Sequence, residues 1–235
     1  MEFVGNIPNI SWPNEMLWRY MNIEKFLHLL QTESIYFSKV SNFNDPFEGV
    51  VGEATRQLSK QNMSPKVQES IKNLYNEYEK TAKNSYVSCW HVNNFENLAM
   101  WNIYSDLKSG IAIQTNLQKI FDAFKEKNKS KEILYVDKVT YLDFEHDNSI
   151  IFKPEMTLFY KRKYFEHEKE LRIVKLNKGN NKNGIYYNVD LKILIENVYI
   201  APLAPEYYKS VVQNLLKVYD LNHIEVKQTT DVIKV

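Results

Sequence analysis

The chain has 235 residues, with 30 Lys and Arg against 29 Asp and Glu and a formal net charge of +1, a balance that gives no bulk electrostatic drive toward sequence-independent nucleic-acid binding and leaves room only for a local basic groove. Cys89 is the single cysteine, which excludes an intramolecular disulfide, and no apolar run reaches the roughly 20 residues that a membrane-spanning helix needs. The opening Met1-Glu2-Phe3 lacks a basic, apolar, small-residue signal pattern, so the expected setting is the cytoplasm, with no membrane partner.

In chain order, Leu17 to Met21 reads as a short strand, and Asn22 is a good cap for the amphipathic stretch Ile23 to Gln31, where Ile23, Phe26, Leu27 and Leu30 share one face. Ser34 to Ser38 is the next strand. Asn42 to Gly49 then forms a turn-rich loop in which Asn, Asp, Pro and Gly punctuate two aromatics. A polar, helix-forming region at about 55–83, with Val67, Ile71, Leu74 and Tyr78 at helical spacing, reads as a helical insertion whose second helix starts near Ser64-Pro65. Beyond it come a strand over Tyr86 to Trp90, a helix over Asn97 to Tyr104, a strand over Gly110 to Gln114 and a helix over Leu117 to Lys127.

The run Ile133 to Leu142 is strand-like, Glu155 to about His167 is expected to be helical, and Glu170 to Leu176 is a strand that Ile185 to Val189 would join as a hairpin across the Asn- and Gly-rich loop 177–184. Strand (Val198 to Ile200), helix (Pro205 to Tyr219) and strand (His223 to Lys227) close the chain. Without a regular strand-helix-strand beat, the expectation is one α+β domain over 1–235 with a mostly antiparallel or split sheet and flanking helices.

Gly-rich phosphate loops, paired His at metal spacing and nucleophile elbows are missing from the sequence. Strand alternation puts Cys89 and His91 on one face, which permits a thiol-imidazole pair, but a buried structural cysteine beside a satisfied histidine is the reading we adopt. A sharper pattern is Glu168, Glu170 and Arg172 at alternate positions, where residues two apart in a strand project from one face. Such carboxylates raise each other's pKa while an adjacent Arg lowers it, which suits a general base or an anion that stabilises developing positive charge; an exposed, ion-paired strand face is the plain alternative. Near the amino terminus, Arg19, Tyr20, Tyr36, Ser38, Asn44, Asp45 and Glu48 supply phosphate-binding, stacking and hydroxyl-binding groups, with structural pairing and an Asx-turn at Asn44-Asp45-Pro46 as competing roles.

The ordered set Tyr20, Ile35-Tyr36-Phe37-Ser38, Phe43-Asn44-Asp45-Pro46-Phe47-Glu48, Cys89-Trp90, Met100-Trp101-x-x-Tyr104, Gly110-Ile111 and Glu168-x-Glu170-x-Arg172 resembles a bacterial family of unknown function numbered 2971, over roughly residues 17 to 176. That family usually has a Trp a few positions before its first motif Glu, where this chain has Tyr164-Phe165. A looser likeness, Arg on a first strand, Ser or Tyr on a second and Glu-x-Glu on a late strand, is to mono-ADP-ribosyltransferases, which cleave the nicotinamide-ribose bond of NAD.

By that second likeness the fold is ADP-ribosyltransferase-like and NAD is the substrate, with no metal. Arg19 holds its phosphate or ribose, Tyr36 stacks on nicotinamide and Ser38 orients the catalytic carboxylate. Glu170 bonds the ribose hydroxyl and stabilises an oxocarbenium-like transition state, while Glu168 positions a macromolecular acceptor. A toxin or phage-defence setting follows by the same analogy. Two rivals remain open: a Mg²⁺-dependent nuclease with Asp45, Glu48, Glu168 and Glu170 as oxygen ligands, and a non-catalytic nucleotide sensor stacking its ligand on Trp90, Trp101 and Tyr104. Trp101 is expected to look into the cleft, and Met100 to seat its helix.

Overall fold

Alternating apolar strands and capped amphipathic helices assemble in the order read below. The structure is a computed structural model and describes residues 2–5, 14–129, 131–149, 151–177, 179 and 181–228. Its first half runs β1 (Glu2–Gly5), β2 (Met16–Met21), α1 (Ile23–Thr32), β3 (Ser34–Lys39), α2 (Glu53–Leu58), α3 (Pro65–Asn84), β4 (Tyr86–Val92), α4 (Leu98–Tyr104), β5 (Ile111–Asn116) and α5 (Leu117–Lys127). The second half runs β6 (Ile133–Lys138), β7 (Thr140–Leu142), β8 (Tyr160–Arg162), β9 (Glu170–Lys175), β10 (Gly184–Asn188), α6 (Leu191–Leu194), β11 (Asn197–Ile200), α7 (Glu206–Val218) and β12 (Glu225–Lys227). Short 3-10 turns occupy Val40–Asn42, Pro154–Phe159 and Lys163–Glu168.

The fold is α+β with a mixed, mostly antiparallel sheet. Ten strands form it, in the order β1-β6-β9-β4-β2-β5-β11-β12, with β3 pairing β4 and β10 off that path. Among the described residues, only β1 with β6 and β11 with β12 run parallel within it. The sheet forks at β4: β2 pairs with its end at His91 and Val92, and β3 with its start at Tyr86 and Val87. β7 and β8 make a separate two-stranded parallel pair.

Polar caps set the helix starts. Asn22 accepts a hydrogen bond from the Lys25 amide at 3.1 Å, Asn116 from Lys119 at 2.9 Å, and Asn97 from Ala99 and Met100, each satisfying amides that a helix leaves open. Pro65 starts α3 at the position where a missing N–H costs nothing. The main core joins Trp18, Phe26, Phe37, Trp90, Trp101, Phe124, Leu171 and Ile173. A second, smaller core of Val40, Ala82, Val87, Leu158, Phe159 and Val174 lies under α3 and the turn 154–159.

Two expectations are corrected. Residues 155–167 are not one helix but two 3-10 turns on either side of β8, because Tyr160, Lys161 and Arg162 pair in register with Thr140, Tyr141 and Leu142, and strand pairing overrides a weak helical preference. β10 does not form a hairpin with β9; it pairs with β3, Tyr186 opposite Tyr36. Gly184 is required there, since a Cβ would stand 2.2 Å from the Tyr36 ring. β1 and its pairing with β6 were not expected.

Candidate active site

β4, β9 and β6 set one face of the sheet. Register puts His91 opposite Glu170, and Cys89 opposite Arg172, which in turn faces Asp137, so these side chains share that face by strand alternation. Above it come three further contributions: Glu48 from the Asn44-Asp45-Pro46 loop, Lys161 from β8, and Glu168 from the end of the turn 163–168.

Lys161 is the centre. Its ammonium donates to Glu170 Oε1 at 2.7 Å, lies 3.1 Å from Glu48 Oε1 and bonds Glu168 Oε2. Arg172 completes the ring: Nε donates to Glu170 Oε2 at 2.6 Å, Nη1 and Nη2 donate to the two Glu48 oxygens at 2.9 and 3.0 Å, and Nη1 also donates to the Leu158 carbonyl at 2.8 Å. The five side chains are only 1–7% exposed. Charges so deeply buried persist only when paired and hydrogen-bonded.

Local chain geometry sets these positions. Glu48 reaches inward because Gly49 turns the loop with φ +71°, where a Cβ would stand 2.8 Å from the Ala82 Cβ of α3. The Asp45 carboxylate accepts from the Phe47 amide at 3.1 Å, an Asx-turn, and also from Arg162 at 2.7 Å. At the other end of the cluster, Tyr104 on α4 donates its hydroxyl to Glu168 Oε1 at 2.9 Å, and the Glu170 amide donates to the Tyr141 hydroxyl at 2.8 Å. His91 Nδ1 meets the Glu168 carbonyl at 2.6 Å; burial lowers the imidazole pKa, so the neutral ring donates from Nδ1.

Electrostatics separate the two carboxyls of the Glu-x-Glu pair. Glu48 and Glu170 balance Lys161 and Arg172, so ionised Glu168 adds an unbalanced negative charge in a dry site. Burial, then the Glu170 carboxylate, accordingly push Glu168 up to about 7, against the pull of Lys161. For Glu170 burial acts upward, but Arg172 and Lys161 outweigh it and hold the carboxyl well below its usual range. Burial would also lower Lys161, yet its carboxylate neighbours keep the ammonium above its ordinary pKa. Cys89 faces the same cluster, where burial and Glu170 push its thiol upward and make it a poor nucleophile.

Of the residues singled out from sequence, the structure brings Glu48, Glu168, Glu170, Arg172 and Tyr104 together, with Asp45 next to them through Arg162. Arg19 is on the opposite face. Trp18 pairs with His91, so Arg19 projects the other way, donating to Ser88 Oγ at 2.8 Å and the Tyr36 carbonyl at 2.9 Å and lying 5.4 Å from the Trp90 ring. It bridges the fork between β2, β3 and β4, which corrects the expectation that Arg19 and Glu170 line one cleft.

The rest disperse. Tyr36 packs on Gly184 and Tyr186 at the β10 edge, its hydroxyl donating to the Asn183 carbonyl. Ser38 donates to the Lys39 carbonyl at 3.4 Å, and Asn44 is exposed. Tyr20, Trp90 and Trp101 are core side chains; Trp101 does not look into a cleft but donates to Glu96 at 3.0 Å and packs edge-on against Tyr20. Met100 is buried, as a helix seat should be. Sequence reasoning missed Lys161, Tyr141 and Arg162, whose strands were hidden inside an expected helix and at the tail of an expected long strand. The one available signal was Tyr160-Lys161-Arg162, an aromatic and two cations next to β-prone residues.

Among the described residues no group of three or more His, Cys, Asp or Glu is arranged to hold a metal ion, and no helix is long and apolar enough to cross a membrane. Three of the four carboxylates assigned to the nuclease rival, Glu48, Glu168 and Glu170, do converge, on the ammonium of Lys161. Residues 100–173 match the family model described as "Protein of unknown function (DUF2971)", a span that runs from α4 through Arg172 and contains Tyr104, Lys161, Glu168 and Glu170. The resemblance to family 2971 therefore holds over the segment that supplies most of the cluster. No curated protein matches the chain.

Proposed function

We propose that this chain, which carries the 2971-family segment, is an enzyme that breaks a glycosidic bond, with the nicotinamide-ribose bond of NAD as its substrate bond and ADP-ribosyl transfer as its reaction. The observation that supports this reading is the divergence of the paired carboxyls, Glu170 held ionised by Lys161 and Arg172 while Glu168, two residues away, titrates near neutrality. Two carboxyls with pKa values pushed apart are the pair that glycosyl transfer needs, one a permanent anion and one a proton carrier.

In this scheme the C1′–N bond of the nicotinamide riboside breaks and its electron pair leaves with neutral nicotinamide. Glu170 stabilises the positive charge that develops at the ribose, an interaction worth a few kcal/mol in a water-poor site. An acceptor O–H then bonds to C1′, and its proton passes to the Glu168 carboxylate, oriented by the Tyr104 hydroxyl and Lys161. Arg19 has no part in it. The ADP-ribosyltransferase likeness of the fold belongs to the same proposal, and a toxin or phage-defence role would act through loss of NAD or modification of a target.

Nicotinamide release from NAD by the purified protein, followed by chromatography with EDTA present, tests this reading. Turnover that disappears in Glu168→Gln and Glu170→Gln, while Glu168→Gln does not lower the thermal midpoint at pH 6, supports it. No turnover of NAD, with cluster variants that only unfold, would make the five charged residues a structural ion core; Mg²⁺-dependent cleavage of RNA or DNA would replace it with the nuclease.

A further inference from the structure

Beside the cluster lies a second group of side chains that the chemistry above leaves unused. Arg162 is held by Asp45 through Nη2 at 2.7 Å and Nε at 3.4 Å, and its guanidinium carbon lies 4.4 Å from the Phe47 ring centre, 5.6 Å from Phe165 and 5.9 Å from Tyr164. Tyr164 is 84% exposed and Phe47 44%, whereas Asp45 is covered. Three rings around one guanidinium, two of them open to solvent, do not serve the core.

This shelf and the cluster are built from the same two segments. The loop 45–48 gives Asp45 and Phe47 to the shelf and Glu48 to the cluster; β8 gives Arg162 to the shelf and Lys161 to the cluster. Phe165 touches both, its ring centre 4.6 Å from Lys161 Nζ and 5.6 Å from Arg162. A ligand held on the shelf would lie directly beside the segments that carry Glu48 and Lys161.

We propose that the Phe47-Arg162-Tyr164 shelf binds the neutral purine base of the substrate by stacking. The inference rests on the glycosyl-transfer reading above for its connection to Glu168 and Glu170, but its chemistry stands on the shelf alone. Asp45 neutralises Arg162, so the shelf is no anion site. A guanidinium plane and flanking aromatic rings stack on flat ring systems, and with no net charge to select on, the area a ring can stack decides how well it is held. A fused purine offers two rings to the shelf where a pyridinium offers one; in NAD this assigns the adenine end to the shelf and leaves the nicotinamide end for the cluster beside Tyr104.

The test is a titration of the intact protein with adenosine monophosphate and, separately, with nicotinamide mononucleotide, read by aromatic-ring NMR shifts. The expected result is saturable shifts of Tyr164 and Phe47 with adenosine monophosphate, weakened at least tenfold in Tyr164→Ala and in Arg162→Gln, with little response to nicotinamide mononucleotide. Stronger shelf shifts with nicotinamide mononucleotide, or none with either, would overturn the assignment. The two proposals fail separately. Purine binding without NAD turnover leaves the shelf standing and removes the glycosyl-transfer reading, while NAD turnover whose KM is unchanged by Tyr164→Ala removes the shelf alone.

Discussion

Two arginines sit on opposite faces of one sheet, Arg172 on β9 and Arg19 on β2, and do different work. Arg172 is enclosed by carboxylates, with every guanidinium nitrogen bonded to Glu48 or Glu170, so its charge belongs to a balanced, titratable set. Arg19 meets a hydroxyl, a backbone carbonyl and an indole face, all uncharged, and so acts as a stitch where the sheet forks. What an arginine contributes is set by the charge of its partners, and only the first of these stands in a set with a carboxyl, Glu168, pushed up to about 7.

Removing Arg172 should show the largest difference between the two faces. Arg172→Met leaves Glu48 and Glu170 buried with a single shared cation, and the expected loss is about 3–5 kcal/mol in urea denaturation, the range found when one partner of a buried ion pair is deleted. A loss below about 1 kcal/mol would mean that water reaches the cluster.

Next in size is the pH dependence that Glu168 confers. Its pKa rises from 4.5 to about 7 on folding, so the stabilisation it contributes is complete below about pH 4.5 and is lost as pH climbs through 7. At about 1.4 kcal/mol per unit the difference is about 3 kcal/mol. Glu168→Gln should flatten that decline, so the variant matches the wild type near pH 4.5 and exceeds it at pH 8 in unfolding free energy. Glu170 works with the opposite sign: its depressed pKa stabilises above the ordinary carboxylate range and is lost toward acid, so Glu170→Gln should lower stability at neutral pH and lessen the acid sensitivity.

Arg19→Met should cost less, about 1–3 kcal/mol for two hydrogen bonds and the carbonyl left open at Tyr36, with the pH profile of stability unchanged. A flattened profile in this variant would erase the distinction between the two arginines. The smallest effect is expected of Tyr104→Phe, about 1 kcal/mol for one hydroxyl bond to Glu168, together with a further rise of the Glu168 pKa, visible as an upward move of the pH midpoint.

Much of this molecule could be read from local chemistry. Asn22, Asn97 and Asn116 announce helix starts because their side chains meet open amides one turn on, and the 3.6-residue spacing of Leu117, Ile120, Ala123 and Phe124 marks α5 without reference to anything distant. The Glu168-Glu170-Arg172 alternation likewise follows from the two-residue period of a strand, and the mixed order of strands and helices was enough for an α+β class. Other features are decided by partners far away in the chain. Residues 155–167 become β8 and two turns only because β7 offers a strand to pair with, and β10 joins β3 rather than β9 because both edges of β9 are already paired, with β4 and β6. The face on which Arg19 stands depends on the register of Trp18 against His91, and Lys161 becomes the centre of the charge network only when the loop at Glu48, β8 and β9 meet. Periodicity and capping act over a few residues, so the sequence by itself determined the capped helices and most of the strands; β8, pairing register and the balance of buried charges depend on partners across the whole fold, and only the tertiary structure decided them.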